Sequence, residues 1–282
     1  METVTEIAVV RRGVAAARSR DARVGFVPTM GFLHEGHLRL VDEARRRCGY
    51  VVMSVFVNPL QFGPGEDFTR YPRDAAGDEA KAAGRGVDLF FLPEDAAMYG
   101  HGPATTVVPA GLDRRWEGAL RPGHFVGVCT VVAKLFNIVQ PDVAVFGQKD
   151  VQQATIIRAM ARDLDFPVEV VVAPTVREPD GLAMSSRNAY LSPADRMRAL
   201  VLSRALGAVA AAFAAGTRSA ADLEAIGKAA LAAEPEVRPD YFALVSPETL
   251  EPVSVAEAGT VAMVAARVGA TRLLDNAILG VT

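Results

Sequence analysis

Through the first two-thirds of the chain, short β-branched runs bounded by turn residues alternate with longer stretches of helical periodicity. Residues 24–27, 50–57, 87–92, 143–146 and 168–172 read as strands. Between them, 37–47 sets Leu38, Leu40, Val41 and Ala44 against a basic face, 123–139 is apolar nearly all round, and 151–162 is amphipathic. Strand and helix in series predict an α/β fold with a doubly wound parallel sheet, which binds ligands at the carboxyl ends of its strands. After about Ala173 the pattern changes to a Pro/Gly/Ser-containing stretch, two Ala-rich helices and strands near 241–245 and 261–268. The expected division is therefore a doubly wound α/β domain over 1–175 and a smaller α+β domain over 176–282.

Composition narrows the function classes. The 282 residues are 50% hydrophobic and 22% charged, enough for a sizeable core and unlike a disordered chain. Thirty Lys and Arg against 33 Asp and Glu give a formal charge of -3, which argues against a duplex nucleic-acid binder. Cys48 and Cys129 are far apart and in no CxxC spacing, so neither a disulfide framework nor a thiolate zinc site is expected, and a reducing cytoplasm is the simplest location. The apolar run near the N-terminus, Ile7 to Val10, is too short for a secretory signal. The stretch 199–215 is mostly alanine with Arg204 in its middle, and is expected to be a buried helix rather than a membrane span. Neither a membrane nor a nucleic acid is expected as a partner.

The strand ends hold the chemistry. The first ends in Pro28-Thr29-Met30-Gly31-Phe32-Leu33-His34-Glu35-Gly36-His37, with a helix expected to begin near its last residue. His34 and His37 are two of only four histidines, and a spacing of three puts both on one side of a helical turn. A helix N-terminus attracts anions, and imidazole N–H groups add donors, so phosphate is the natural guest. The alternatives are a helix cap with an incidental histidine, or zinc, for which the HExxH spacing and a third ligand are missing. The second strand runs into Asn58-Pro59-Leu60-Gln61-Phe62-Gly63, where Pro59 and Gly63 imply a tight loop and the Gln61 amide suits a polyol or hydroxy acid, or is an ordinary turn residue. A later strand ends in Phe146-Gly147-Gln148-Lys149-Asp150, where Lys149 offers a compact positive charge for phosphate, and the next helix carries Gln152 and Gln153. The stretch 177–188, with its hydroxyls, glycine and Arg187, reads as a mobile phosphate clamp or as a solvated linker.

Taken in order, PTMGFLHEGH, NPLQFG, FGQKDVQQ and GLAMSSRN closely resemble the pantoate–beta-alanine ligase family, whose HxGH loop and Ser-rich phosphate loop place it among the nucleotidylyltransferases. The specific motifs run from 24 to 191, and a looser match continues through Asp240-Tyr241 and 248–253. The resemblance implies a Rossmann-like catalytic domain, a C-terminal lid and a homodimer. It implies that ATP and Mg²⁺ convert (R)-pantoate to pantoyl adenylate with loss of diphosphate, after which β-alanine attacks and AMP leaves. By the same resemblance ATP is held by Met30, Gly31, Phe32, Leu33, His34, Glu35, Gly36 and His37, by Gly147, Gln148, Lys149 and Asp150, and by Val176, Met184, Ser185, Ser186 and Arg187. His34, His37, Lys149, Ser185, Ser186 and Arg187 are the implied catalytic groups, with Lys149 as charge stabiliser. Gln61 and Gln153 hold pantoate, and Gln61 also lies beside β-alanine. Tyr71-Pro72-Arg73 and Asp78 fit the family too, but some members have a second acidic residue where this chain has Gly77, so the metal ligand is left open.

Three other readings remain at this point. A nucleotidylyltransferase that keeps the nucleotidyl group on its product would favour Arg or Lys over the amides Gln61 and Gln153 for a phosphorylated acceptor. An aminoacyl-tRNA synthetase would need a basic RNA-binding domain. A non-catalytic nucleotide sensor would bind ATP without turning over any acid.

Overall fold

Strands that are apolar on both faces must be covered on both, and the first part of the molecule meets that demand. The computed structural model describes residues 1–100 and 102–281. It begins β1 (Glu2–Val4), α1 (Ile7–Arg18), β2 (Val24–Thr29), α2 (Glu35–Arg47), β3 (Tyr50–Val55), α3 (Ala75–Gly84) and β4 (Leu89–Phe91). Two short helices follow, α4 (Asp95–Tyr99) and α5 (Trp116–Leu120), then α6 (His124–Val139), β5 (Val143–Gly147), α7 (Val151–Asp163) and β6 (Glu169–Ala173). The six strands form one parallel sheet in the order β1-β4-β3-β2-β5-β6.

Alternate residues of each strand enter opposite cores, as the two-residue repeat of a strand requires. Phe26, Val52, Leu89, Phe91, Ala144 and Phe146 pack with α1, α6 and α7 on one face. Val27, Val51, Met53, Phe90, Val143 and Val145 pack with α2 and α3 on the other. The all-round apolar character of α6 follows: thirteen of its residues, from His124 to Val139, are buried.

The later part contains α8 (Pro193–Ala214), α9 (Ala220–Ala232) and an antiparallel sheet in the order β7 (Val237–Val245), β8 (Val261–Val268), β9 (Thr271–Ile278). Ser192 and Ser219 cap the two helices, accepting from Asp195 N and Asp222 N. By length and composition alone α8 is long and apolar enough to cross a membrane. Its residues Ala199, Leu200, Leu202, Leu206, Val209 and Phe213 instead pack into the core formed with α9 and the antiparallel sheet.

The chain divides into two compact units, residues 1–147 with 156–174, and residues 148–155 with 175–282. The turn after β5 and the first turn of α7 thus cluster with the C-terminal part, a division that reading along the chain does not anticipate. Six elements lay outside the sequence reading: β1, α1, α3, α4, α5 and β9. Among the boundaries that move, α2 starts at Glu35, two residues before the expected 37, and β7 at Val237, four before the expected 241.

Candidate active site

In the first unit the chain steps from β2 outward through β3 to β4 on one side, while β5 and β6 lie on the other. The strand order therefore reverses between β2 and β5, and at such a point the crevice beyond the carboxyl ends is where open parallel sheets bind ligands. Residues 30–34 leave from β2, and Gly147 ends β5. No protein atom would stand within 4 Å of a Cβ added at Gly147, so the protein's own packing does not demand glycine there.

The loop after β2 is clamped from below. Gly31 and Phe32 both take left-handed conformations, with φ of 86° and 52°. A Cβ on Gly31 would also stand 2.7 Å from Val55 Cγ1, so glycine is needed twice over. Asp78, from α3, is 1% exposed and accepts from Phe32 N at 2.7 Å and from Leu33 N at 2.6 Å. Lys81, one turn on, donates to the Leu33 carbonyl at 2.9 Å. Burial raises the Asp78 carboxyl above the usual range, opposed by those two N–H groups and by Lys81. Asp78 is accordingly a support for the loop.

His34 is the N-cap residue of α2 and His37 its third residue. His37 Nδ1 accepts from His34 N at 3.3 Å, and the His34 side chain faces the main-chain N–H of His37, a reciprocal capping box. The rings lie 4.0 Å apart between centroids. The capping alternative is thus realised, but by both histidines, and it sets a tautomer: a ring whose Nδ1 accepts carries its proton on Nε2. His37 therefore presents an Nε2–H donor without a fixed charge. Glu35 has its carboxylate on the Arg85 guanidinium, so only its main chain is at the helix start in the sense needed for an anion.

Gln61 ends a 3-10 turn, Pro59–Gln61, and is buried. Its amide is oriented by a chain of donors. Tyr99 Oη donates to Asn58 Oδ1 at 2.6 Å, Asn58 Nδ2 donates to Gln61 Oε1 at 3.2 Å and to the Gly127 carbonyl at 3.1 Å, and Gln61 Nε2 points at Met30 Sδ at 2.8 Å. A thioether is a weak acceptor, so that amide N–H can be exchanged for a better oxygen at small cost. The turn is shaped by Asn58 and Pro59; Gly63, expected to help, lies outside the left-handed region.

The Gln61 carbonyl accepts from His124 Nδ1 at 2.8 Å. His124 Nε2 lies 3.1 Å from Arg121 Nη1 and accepts from it, since guanidinium can only donate. Arg121 in turn holds Glu66 through two bonds of 2.8 and 2.7 Å. Burial, reinforced by the Arg121 charge, pushes His124 down to about 4, so the ring is neutral near pH 7. Burial also raises both thiols, Cys129 to about 12, which leaves no thiolate nucleophile among them.

In the second unit, Gln148–Asp150 form a 3-10 turn, with Lys149 Nζ 3.7 Å from Asp150 Oδ1. Gln153 lies in the first turn of α7. The stretch expected to be a mobile clamp or a linker folds back on itself: Met184 N donates to Val176 O at 3.0 Å, Glu178 N to Leu182 O at 2.8 Å, and Arg177 bridges Ala183. Ser185 then caps a short 3-10 helix, Ser186–Tyr190, accepting from Arg187 N. Met184, Ser185, Ser186 and Arg187 thus lie together at one helix start, with Ser186 buried.

The family model described as pantoate-beta-alanine ligase matches residues 2–278. The chain belongs to that family. A pantothenate synthetase from Moorella thermoacetica is 53% identical over 281 residues, covering 100% of this chain and 99% of that protein. One from Thermus thermophilus is 56% identical over 277 residues, covering 98% of each. The crystal structure of pantothenate synthetase from Thermus thermophilus superposes with a TM-score of 0.93 at 55% identity, covering 99% of each chain. A pantoate-beta-alanine ligase from Francisella tularensis, solved with beta-gamma ATP and β-alanine, superposes at 0.79 with 28% identity, covering 99% of this chain and 97% of that one.

For a pantoate–beta-alanine ligase the residues missed by sequence reasoning are instructive. Asn58, Tyr99, Gly127, Arg121 and His124 all act on Gln61, and only the rarity of histidine could have drawn attention to His124. The metal reading closes in one direction. Both Asp78 oxygens are occupied by the loop, and a side chain at Gly77 would meet the Asp74 carboxylate at 2.0 Å. Among the described residues no cluster of three His, Cys, Asp or Glu could hold an ion. The described residues thus do not build a protein cage for Mg²⁺.

Proposed function

We propose that this chain condenses (R)-pantoate with β-alanine to pantothenate, with ATP converted to AMP and diphosphate through pantoyl adenylate. The observation that carries this reading is the loop 30–37. One end holds the two capping histidines, a phosphate-type end; the other holds Met30 against the Gln61 amide, a neutral polar end suited to a hydroxy acid.

In the first step a pantoate carboxylate oxygen bonds to the α-phosphorus while the bond to the diphosphate oxygen breaks. The carboxylate is already anionic, so no covalent enzyme nucleophile is needed, only alignment and donors for charge that grows on the phosphates. His37 Nε2–H, the N-terminal N–H groups of α2, His34 and Lys149 supply those donors, and Ser185, Ser186 and Arg187 bind the triphosphate. Gln61 Nε2–H leaves the Met30 sulfur for a pantoate oxygen, with Gln153 as the second amide. In the second step the uncharged β-alanine amine, beside Gln61, attacks the acyl carbon, AMP leaves and the nitrogen loses a proton. Mg²⁺ would enter with ATP, neutralising phosphate charge and held mainly by phosphate and water oxygens, as that ion commonly is. The family resemblance supports a homodimer, which sedimentation equilibrium would test.

Exchange of labelled diphosphate into ATP tests the first step. Exchange that requires pantoate and proceeds without β-alanine is expected; exchange that ignores pantoate, or none, would contradict the proposal.

A further inference from the structure

We propose that Asn276, on the last strand of the second unit, is the positioning residue for Lys149. The inference rests on the reading of Lys149 as the cation that stabilises charge on the ATP phosphates.

Residues 148–150 are a single 3-10 turn between β5 and α7, with no ladder of its own to hold it. Asn276 holds it from β9. Its side-chain Nδ2 donates to the Gln148 carbonyl at 2.9 Å and to the Lys149 carbonyl at 2.9 Å, and its Oδ1 accepts from Gln148 Nε2 at 3.0 Å. A side chain that is 1% exposed thus directs three hydrogen bonds to one three-residue turn. Polar groups so deeply buried are strongly selected for partners of good geometry, and here every partner belongs to the residue pair 148–149.

Asn276 is itself anchored. Its N–H donates to Asp275 Oδ1 at 2.8 Å, and Asp275, 4% exposed, receives Arg177 through bonds of 2.6 and 3.0 Å. Arg177 also donates to the Gly181 carbonyl at 3.1 Å, in the hairpin that leads to Ser185 and Arg187. The Lys149 carbonyl is one bond from its Cα, so holding that carbonyl fixes the direction in which the lysine leaves the main chain. Without the Asn276 amide the two carbonyls lose a donor, the turn relaxes and Nζ samples a wider volume. A phosphate cation displaced on that scale loses mainly transition-state stabilisation, and the loss falls on kcat of the adenylation step more than on KM for pantoate.

The test is a double-mutant cycle in the full-length protein, read by pantoate-dependent diphosphate exchange with thermal unfolding alongside. Asn276→Ala is expected to lower kcat by about tenfold or more with KM for pantoate within about twofold, and to cost less than about twofold when Lys149 is already alanine. Asn276→Ser, which keeps one donor, should recover part of the rate. If Asn276→Ala does not unfold cooperatively, Asn276→Asp, of the same size but with an oxygen facing the two carbonyls, completes the same cycle. An equal loss in both backgrounds, or no loss, would overturn the inference. Full activity of Lys149→Ala alone would overturn the reading of Lys149 beneath it, an outcome seen without touching Asn276.

Discussion

Two histidines that cap one another are ordinarily a local device of helix stability, yet the same geometry decides what His37 can do. Because Nδ1 accepts from the His34 main chain, the ring carries its proton on Nε2, which can then act as a donor. His37→Ala and Lys149→Ala should each lower kcat by roughly two to three orders of magnitude, with little change in the unfolding midpoint. A change of only about twofold in a stable variant would contradict the assignment. Gly127 makes a second residue-scale prediction. A Cβ there would stand 2.2 Å from the Leu60 carbonyl oxygen and 2.6 Å from Gln61 N, both main-chain atoms that can only yield by moving the turn. Gly127→Ala should raise KM for pantoate at least several-fold by displacing Gln61, measured in steady-state assays. The histidines, Gln61 and Lys149 could be singled out because each follows a strand in a short, distinctive string. Gly127 could not, and His124 only by the rarity of histidine, since their importance lies in which backbone they touch across more than sixty residues of chain.

At the scale of elements, the parallel strands were legible because they are apolar on both faces, and their ends were found within one or two residues. The missing ones have physical reasons. Strand β1 has three residues and pairs only with β4 at the sheet edge. Strand β9 interrupts its apolar pattern with Asp275 and Asn276, polar because they hold Arg177 and the 148–150 turn. Helix α1 buries Val10, Val14 and Ala17 at helical spacing, but Arg11 and Arg12 break the visible run. Two element-scale predictions follow from how loops are held. Asp78→Asn sets an amide N–H against Phe32 N or Leu33 N, leaving a buried donor unsatisfied; destabilisation of about 1–3 kcal/mol in urea unfolding is expected, with a matching loss of adenylation. His124 links α6 to the Gln61 turn, surrounded by Arg121, Glu66 and Glu117. Its folded value near 4 lies below the ordinary 6.5, so between those values the unfolded chain binds a proton that the folded one does not. Stability from this group is therefore complete above about pH 6.5 and lost as pH falls toward 4. Near pH 5 the loss should reach about 2 kcal/mol relative to His124→Gln, which can still donate to the Gln61 carbonyl but does not titrate. Equal pH dependence of the two proteins in urea unfolding would contradict it.

For the whole molecule, the fold class and a division near residue 175 followed from the order of periodicities, α/β first and then a smaller α+β part, while the place of residues 148–155 did not. The compact second unit takes residues 148–155 out of the middle of the first, and with them Lys149 and Gln153. Chain order cannot reveal this, because the bonds responsible join the 148–150 turn to Asn276 more than 120 residues later. Both units carry residues assigned to the same two-step reaction, so the central claim concerns the reaction itself. The measurement that tests it most directly is mass spectrometry of products after the protein is mixed with ATP, Mg²⁺ and (R)-pantoate, with and without β-alanine. Pantothenate and AMP are expected only in the complete mixture, and pantoyl adenylate bound to the protein when β-alanine is left out. Absence of diphosphate from both mixtures would contradict the account.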